Sequence, residues 1–450
     1  MKKMKKYIQI TLVALLPAML LNSCVRFEEE NIFEESAALR LEHTGNDLQD
    51  ILTSQPNGWV MQYYCGTGVA QFEGFNLFAK FDANGKVLMA SNHRMLRDGR
   101  KNQYTEHASL YELISEDGLV LAFNTWNNIL TPFVDPVTFY NAPDALVKDG
   151  EGMEGDHNFV VTSYTKDEVV LRGERHGAEV RLVACDRDWQ QYIADAEAMK
   201  NKITNTLISS YYVANATDTL YITGLRNGRM RYCERVYDPL HIDSLACVFT
   251  PKGFSLEHEQ TLGTDEATQT KFRELILADD NTCLISTDGQ TKVIPCWDNY
   301  LVERTSIWTL DEEKFSAEQK SIFEEMNAQI KSFNAALTLD SLGMGTSTGG
   351  TRGLILFYHG VSKGKTNNYN AGLGMEISKA GYGKIAIDCP ADSKTDKNLA
   401  NFSKTTLEAE TRKFAATLVG TFEMTPNNYF RPTGATYKPV SSTGTEFKLN

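Results

Sequence analysis

The chain has 450 residues, of which 42% are hydrophobic and 10% aromatic, so it can bury a core in each of about two to four domains. It carries 58 acidic against 45 basic side chains, a formal net charge of −13. A chain this acidic repels phosphate backbones, which excludes nucleic acid as a partner. It also excludes attachment to anionic lipid by charge alone.

The first 24 residues predict an export leader that ends at a lipid-modified cysteine. Four lysines precede an apolar stretch over residues 8–21, which is too short to cross a ~30 Å hydrocarbon core as a helix. Residues 21–24, which end in Cys24, resemble the lipobox of bacterial lipoproteins. We therefore expect residues 1–23 to be a signal peptide and Cys24 to carry acyl chains such as palmitate, which anchor the protein to a membrane. The alternative is ordinary secretion with an unmodified Cys24.

Residues 24–33 are predicted to be an acidic tether, in which Glu28, Glu29 and Glu30 closely follow the anchor. Like charges repel one another, so this segment is expected to be solvated and extended. An acidic run in this place also resembles the tag that sends lipoproteins of Bacteroidota to the outer face of the outer membrane.

Apolar residues at helical spacing predict a helix over residues 34–54, which Pro56 ends. Further helices are predicted at 188–203, from a capping box of Ser316 and Gln319, and near 405–418. Short patterns rich in aromatic and β-branched residues, separated by turns, predict strands. The predicted strands are 59–64, 75–81, 86–89, 113–115, 119–123, 159–164, 169–172, 179–183, 210–213, 219–223, 246–250, 283–286, 292–297, 354–358 and 383–388. Residues 342–353, rich in glycine, serine and threonine, predict a flexible loop.

Because the strands do not alternate with helices, the expected fold class is α+β: β-rich, with mainly antiparallel sheets, a few packed helices and several domains. The predicted domains are an N-terminal helix plus antiparallel β domain at 34–187, a middle α+β domain at 188–315 and a C-terminal α+β domain at 316–450. A helix followed by strands begins near each of these three starts. No matching residue pattern accompanies this order, so an internal repeat is a hypothesis.

Eight cysteines are present, and lipidation would remove Cys24 from the set. Their spacing contains no Cys-x-x-Cys or Cys/His ligand pattern, which argues against a zinc ribbon or a redox motif. Buried thiols are the default interpretation for a chain of this length. The hairpin-like separations of Cys233 from Cys247 and of Cys283 from Cys296 leave disulfides open.

Two catalytic motifs are nearly spelled out. His258 and Glu259 begin the zinc-protease pattern, but the second histidine would fall at position 262, which is Leu262. Ser347 lies in a Gly-x-Ser-x-Gly sequence, yet a predicted loop precedes it and a strand follows, whereas a nucleophile elbow needs a strand and then a helix. The sequence therefore predicts no catalytic residue and no cofactor site.

An acidic, glycine-rich segment is the candidate metal site. Asp149, Glu151, Glu154 and Asp156 offer oxygen ligands on a flexible backbone, which suits calcium. The spacing departs from the calcium-loop consensus, which favours a solvated acidic turn between two strands over a metal site.

Two tryptophans are the candidate ligand-stacking residues. Trp126 and Trp297 both lie beside asparagine or aspartate, a combination that could stack on a sugar ring and hydrogen bond to its hydroxyls. Packing in the core is the favoured interpretation, because tryptophan is usually buried.

Several blocks of packing and turn residues together point to a family; they are 36–41, 57–64, 74–81, 85–87, 121–127, 135–136, 155–159, 170–173 and 422–427. They are similar to the Bacteroidota lipoprotein family labelled domain of unknown function 4302. The resemblance implies a cell-surface lipoprotein encoded beside the porin and lipoprotein pairs that import glycans or other nutrients. It supplies no catalytic residues.

The expected function is therefore a lipoprotein anchored through Cys24 in the outer membrane and exposed at the cell surface, which binds a glycan or other nutrient ligand. A non-catalytic accessory role beside an outer-membrane transporter complex is the leading interpretation. The alternatives are a surface hydrolase that acts on an extracellular polymer, whose carboxylates meet only in the fold, and a structural protein of cell-surface assembly.

Overall fold

The computed structural model describes residues 36–66, 72–96, 100, 102–115, 118–134, 153–204, 210–233, 244–297, 307–441 and 445–450. Across these ranges the chain forms six α-helices and four β-structures, one of which is a closed barrel. The strand pairing is antiparallel, which confirms the predicted β-rich α+β class. None of the helices described is long and apolar enough to span a membrane.

The first sheet follows helix α1 (Ala37–Ser54), where the Oγ of Ser36 accepts a hydrogen bond from the amide of Leu39 and caps the helix. Leu48 and Leu52 on its inner face are fully buried. Nine strands come next: β1 (Trp59–Tyr64), β2 (Phe75–Phe81), β3 (Lys86–Ser91), β4 (Thr105–Leu110), β5 (Glu112–Ser115), β6 (Leu119–Ala122), β7 (Asn158–Tyr164), β8 (Glu168–Gly173) and β9 (Glu179–Ala184). A short helix, α2 (Thr131–Val134), lies between β6 and β7.

This sheet curls until its two edge strands lie close together, although within the described residues those two strands do not pair with each other. Its order is β4-β3-β2-β1-β9-β8-β7-β6-β5, so β4 and β5 are at opposite edges although only Tyr111 separates them in the chain. A single residue cannot cross a flat sheet of nine strands that lie ~4.8 Å apart. We call this curled sheet the first barrel. Its core contains the inward side chains of the strands, such as Trp59, Met61 and Tyr63 of β1.

The second barrel follows helix α3 (Trp189–Ile203), which Asp188 caps by accepting hydrogen bonds from the amides of Gln190 and Gln191. Its strands pair in chain order, and the last pairs with the first. They are β10 (Ser210–Ala214), β11 (Thr219–Thr223), β12 (Arg229–Cys233), β13 (Ser244–Thr250), β14 (Gly253–Leu262), β15 (Thr270–Leu277), β16 (Leu284–Ser286) and β17 (Lys292–Pro295). Trp189 of α3 stacks on Phe78 outside the first barrel, and α3 also packs on β13, so this helix lies between the barrels.

The C-terminal part contains helix α4 (Ala317–Phe333), which begins at the predicted capping box of Ser316 and Gln319. One sheet contains β18 (Trp308–Thr309), β19 (Leu337–Thr346), β20 (Arg352–Ser362) and β21 (Lys365–Gly374). The other contains β22 (Glu376–Gly381), β23 (Lys384–Asp388), β24 (Gly420–Pro426), β25 (Ala435–Pro439) and β26 (Phe447–Leu449). Helices α5 (Lys397–Ala400) and α6 (Leu407–Ala416) connect β23 to β24. Met375 alone separates β21 from β22, and a bridge between Leu310 and Leu449 joins the two sheets at another edge.

The flexible loop predicted over residues 342–353 is wrong in its first half, because β19 continues to Thr346. Glycine is present in this strand for close packing. A Cβ on Gly343 would lie 2.8 Å from the carbonyl oxygen of Trp308 and 3.0 Å from the ring of Phe357. Glycine in a strand often marks such a close approach of backbone.

The first and second barrels contact each other directly beside α3. The Oη of Tyr64 donates to the carbonyl of Ser255 at 3.2 Å, and the amide of Gly74 donates to the carbonyl of Cys247 at 3.3 Å. The Nδ2 of Asn76 donates to the carbonyl of Phe249 at 2.7 Å. Part of the outer face of the first barrel is therefore buried against β13 and β14.

Gly74→Ala tests this contact, since the new Cβ would lie 2.6 Å from Cε1 of Tyr64 and 2.7 Å from Cγ1 of Val248. Overpacking of this kind costs about 1–3 kcal/mol, so we expect a lower urea midpoint for unfolding. Gly118→Ala is the control, because its nearest neighbour, Cγ1 of Val160, is 4.0 Å away. An unchanged midpoint for Gly74→Ala would contradict the packing described.

Candidate functional site

The predicted site residues fall in different places. Cys24, Asp149 and Glu151 lie outside the described residues. Trp126 lies on the loop that follows β6 in the first barrel, and its side chain is 51% exposed. Trp297 follows the second barrel and is 4% exposed.

The loop that carries Trp126 is held by its polar neighbours. The Oγ1 of Thr125 accepts a hydrogen bond from the amide of Leu110 at 2.9 Å, which ties the loop to the end of β4. The Nδ2 of Asn127, a buried residue, donates to Oγ of Ser109 at 2.8 Å. Its Oδ1 accepts from the amide of Ile129 at 2.9 Å and closes the turn. The loop is therefore fixed on both sides of Trp126.

The indole of Trp126 is oriented as well as exposed. Its Nε1 donates to Oδ1 of Asn128 at 2.7 Å. This bond uses the only polar atom of the ring and keeps the indole at one angle to the loop. An oriented aromatic ring is a ready surface for stacking, because little rotamer freedom is lost when a ligand binds.

A groove of about 400 Å³ opens beside this ring; we call it the Trp126 groove. Its floor contains the buried side chains of Phe123 and Leu130. Its rim contains Asn124, His157 and Arg175, all exposed. An apolar floor, an aromatic wall and a few polar groups are the usual composition of a small-molecule site.

The rim offers hydrogen-bond donors and acceptors. Within the described residues, the guanidinium of Arg175 and the imidazole of His157 make no hydrogen bond to another side chain. Asn124 donates through Nδ2 to Oε2 of Glu112 at 2.7 Å, which leaves its Oδ1 as an acceptor. The groove can therefore present groups of both kinds to a neutral polar ligand.

Asp156 supports this rim. Its carboxylate is buried and accepts hydrogen bonds from the amides of Arg175, His176 and Ala178 at 3.0–3.2 Å. These amides use the carboxylate oxygens that a cation would need, so Asp156 holds the turn that presents Arg175. Glu154 is the other described member of the predicted calcium cluster, and its backbone is left-handed, with φ of 52°. Within the described ranges, no three His, Cys, Asp or Glu side chains form a group that could hold a metal ion.

His93 contacts the loop that carries Trp126 through the backbone of Ile129. It is buried, its Nε2 lies 2.8 Å from the carbonyl oxygen of Ile129, and its Nδ1 accepts from the amide of Met95 at 3.1 Å. Because Nδ1 is the acceptor, Nε2 carries the proton and donates to Ile129. Burial lowers the pKa of His93 to about 4, so the ring is neutral at pH 7.

Trp297 presents no open face for stacking. Its ring packs edge-on against Tyr429, with centroids 5.8 Å apart, and its buried Nε1 has no hydrogen-bond partner among the described residues. The core interpretation therefore describes Trp297, whereas about half of the Trp126 side chain is exposed.

The two incomplete catalytic motifs have structural roles. Ser347 is buried; its Oγ donates to Oδ2 of Asp396 at 2.7 Å and accepts from the amide of Thr351 at 3.2 Å. The hydroxyl therefore bonds to a carboxylate in a turn and not to an imidazole. His258 lies in strand β14, where no helical face exists to pair it with a second ligand.

The cysteines whose side chains are described are free thiols: Cys65, Cys185, Cys247, Cys283, Cys296 and Cys389. Cys283 and Cys296 are buried and form no disulfide with each other, which agrees with the default interpretation of buried apolar thiols. Burial raises the pKa of Cys247 to about 12, so this thiol is unreactive at neutral pH.

Two carboxylates line another cavity, Asp186 and Glu274, but each is paired with an arginine. The bidentate contact of Arg187 lowers the pKa of Asp186. A hydrolase general acid needs a raised pKa, so Asp186 is not suited to donate a proton.

Sequence reasoning proposes Trp126 as a candidate but does not identify the residues that surround it in the fold. Asn127 and Thr125 could have been suspected from their turn-forming side chains. His93 and Arg175 are 33 and 49 residues from Trp126 in the chain, and nothing local to either one signals that it meets the loop.

Comparison with known proteins identifies one family. The model of the family described as Domain of unknown function (DUF4302) matches residues 29–274. This span includes α1, the first barrel, α3 and the second barrel into β15. No curated protein matches the chain.

Two solved structures align over most of the chain at 10% identity and a TM-score of 0.12. One is the beta subunit from DNA polymerase of Streptococcus pyogenes, with 89% of this chain and 91% of that chain covered. The other is the H. pylori beta clamp in complex with 5-chloroisatin, with 91% and 96% covered. Similarity at this level carries no argument about fold or function.

Acid should weaken the fold through His93. Between its ordinary pKa of 6.5 and its folded pKa of about 4, the unfolded chain binds a proton that the folded chain does not. The free energy of unfolding therefore falls as pH decreases through this window, by about 3 kcal/mol from this group. His93→Gln keeps a donor for Ile129 but does not titrate, so urea unfolding at pH 7 and 4 should show a smaller difference than in the unmodified protein.

His43→Gln, at an exposed position of α1, is the matched control and should leave the pH difference unchanged. An equal loss of stability on acidification in the His93 variant and the unmodified protein would contradict this role of His93.

Proposed function

The chain belongs to the family described as Domain of unknown function (DUF4302), and we propose that it is an outer-membrane lipoprotein that binds a nutrient ligand at the cell surface. On this proposal lipid on Cys24 holds the protein to the membrane, and the first barrel presents the ligand site. The protein binds its ligand without transforming it and serves uptake beside an outer-membrane transporter complex.

The anchor is supported by the sequence before residue 36. A basic segment, a short apolar stretch and a cysteine at position 24 follow the order that lipoprotein leaders use. The acidic residues at 28–30 support export to the outer face of the outer membrane in a member of the Bacteroidota. Two or more acyl chains suffice for stable attachment, so no spanning helix is needed.

Ligand binding is supported above all by one observation, the oriented and half-exposed indole of Trp126 beside a groove with a polar rim. An exposed tryptophan places a large apolar face in water, which a ligand can cover. A loop with two side-chain ties to its surroundings keeps this face in place when the ligand is absent. Preorganisation of this kind reduces the entropy lost on binding.

A glycan is the ligand class that fits the groove best. The C–H face of a sugar ring is apolar and flat, and it matches an indole. Sugar hydroxyls both donate and accept hydrogen bonds, as do the rim groups of Asn124, His157 and Arg175 taken together. Neither a fixed charge nor a metal is required of such a ligand.

The predicted domains are part of the same proposal. The first barrel has a core cluster of its own, which supports a unit at 34–187. One contiguous cluster extends from the second barrel into the C-terminal sheets. We propose that 188–315 and 316–450 are separate domains that pack closely through this shared core.

Trp126→Ala should weaken glycan binding at least tenfold, which corresponds to about 1.4 kcal/mol, because the stacking face is lost. The test is calorimetry with a panel of oligosaccharides against the lipid-free protein. Tyr369→Ala removes an aromatic ring of similar exposure from β21, far from the groove in the fold, and should bind normally. Equal affinities of both variants for every glycan, or no binding by the unmodified protein, would count against the proposal.

Cys24→Ala should release the protein from the membrane fraction, because the acylated atom is absent. Metabolic labelling with palmitate and mass spectrometry of the amino-terminal peptide measure the modification directly. Cys389→Ala is the control and should remain labelled and membrane-bound. Attachment that persists in Cys24→Ala, or an unacylated Cys24 in the native protein, would refute the anchor while leaving glycan binding to be judged separately.

A further inference from the structure

A second cavity lies between the two barrels, away from the Trp126 groove; we call it the interbarrel cleft. Its volume is about 290 Å³. It is bounded by β1 and β9 of the first barrel, by the start of α3, and by the β13–β14 turn and β15 of the second barrel. This volume is at the lower end of the ~300–1,000 Å³ found for small-molecule sites, so the cleft suits one small molecule and not a polymer.

The arginines around the cleft are already engaged. Arg181 is 8% exposed, and its guanidinium contacts Glu168, Ser255 Oγ at 3.2 Å and Glu274 Oε1 at 3.0 Å. Arg187 donates to both oxygens of Asp186 and to Asp195. A ligand therefore meets the groups that these ion pairs leave uncommitted.

Gln62 is the first of those groups. It is 3% exposed and lines the cleft; its Oε1 faces Nη1 of Arg181 at 3.5 Å. Among the described residues its Nε2 has no hydrogen-bond partner, and this atom is not sealed from the cavity. Because this donor is open to the cavity, an acceptor on a ligand can replace the water that would otherwise bond to it.

Two charged groups also line the cleft. Lys252, in the β13–β14 turn, is exposed, and its ammonium makes no hydrogen bond to the described residues. The carboxylate of Glu274 meets Arg181 through Oε1 only, which leaves Oε2 as an acceptor. Around them Val60, Val183 and Ile276 supply an apolar surface.

We propose that the interbarrel cleft binds a small zwitterion with an apolar side chain, a free amino acid or a short peptide. The ligand carboxylate meets Lys252 and the amide of Gln62, its ammonium meets Glu274, and its side chain packs on Val60 and Val183. A simple anion would face the carboxylate of Glu274, and a simple cation would face the ammonium of Lys252. A molecule that carries both charges satisfies both groups.

The test uses calorimetry of the lipid-free protein with L-leucine and L-leucyl-L-leucine as probes. Leucinol retains the ammonium without the carboxylate, and N-acetyl-L-leucine retains the carboxylate without the ammonium. We expect at least one zwitterion to bind, and each single-charge analogue to bind at least tenfold more weakly.

Lys252→Met removes one charge from an exposed side chain and should leave the fold intact. It should weaken binding of the zwitterion at least tenfold and leave the affinity for leucinol unchanged. Gln62→Met, of similar volume but without the amide, should weaken the zwitterion as well. Lys271→Met, at an exposed lysine of β15, is the matched control and should bind normally.

Three results would overturn the proposal: no binding by either probe, equal affinity for leucine and its single-charge analogues, or equal affinity in Lys252→Met and the unmodified protein. Trp126→Ala should leave leucine binding unchanged, so failure here and failure of glycan binding are distinguishable. Loss of leucine binding in Trp126→Ala would place the ligand in the other groove and would also refute the cleft.

Discussion

A buried guanidinium joins the first and second barrels. Arg181 projects from β9 toward the second barrel, where Ser255 and Glu274 accept its hydrogen bonds, while Glu168 binds it from β8. Taking this charge out of water is expensive, so the contact is stable only while its carboxylate partners remain in place. A rotation of one barrel against the other would leave the guanidinium of Arg181 buried without its partners in the second barrel. The alignment of β1 with β14, and the cleft between them, both depend on this constraint.

The helices and strands that are best predicted from sequence are those whose conformation depends on the residue types within the element itself. Strand β1 matches its predicted range of 59–64, because a run of aromatic and β-branched residues can bury both faces, and this strand does. Helices α3 and α4 begin where their capping residues are. Strand β21 was missed, because its first half is polar and exposed at a sheet edge and shows no apolar alternation. The curling that brings edge strands β4 and β5 together at Tyr111 depends on pairings between strands that are distant in the chain, and no local sequence pattern encodes these pairings.

The candidate site shows the same division. Both tryptophans have asparagine or aspartate beside them, so sequence alone treats Trp126 and Trp297 alike. The two side chains differ because of residues distant in the chain. Tyr429 packs against the ring of Trp297, whereas the hydrogen bonds of Thr125 and Asn127 hold the Trp126 loop at the surface. Arg175 lies at the groove on a turn that Asp156 holds, because the carboxylate of Asp156 accepts hydrogen bonds from the backbone amides of residues 175, 176 and 178. Such contacts follow from the completed fold.

The ties of the Trp126 loop have one more consequence. The hydroxyl of Thr125 accepts a hydrogen bond from the backbone amide of Leu110. The side-chain Nδ2 of Asn127 donates to the carbonyl oxygen of His107 at 3.4 Å. Leu110 and His107 are both on strand β4. Strand β4 is an outermost strand of its sheet, the kind of strand that can recruit a neighbouring molecule through unpaired backbone. Because the loop already bonds to these backbone groups of β4, it hinders fibre-like association between copies of the protein. A substitution that loosens it would therefore threaten solubility as well as recognition.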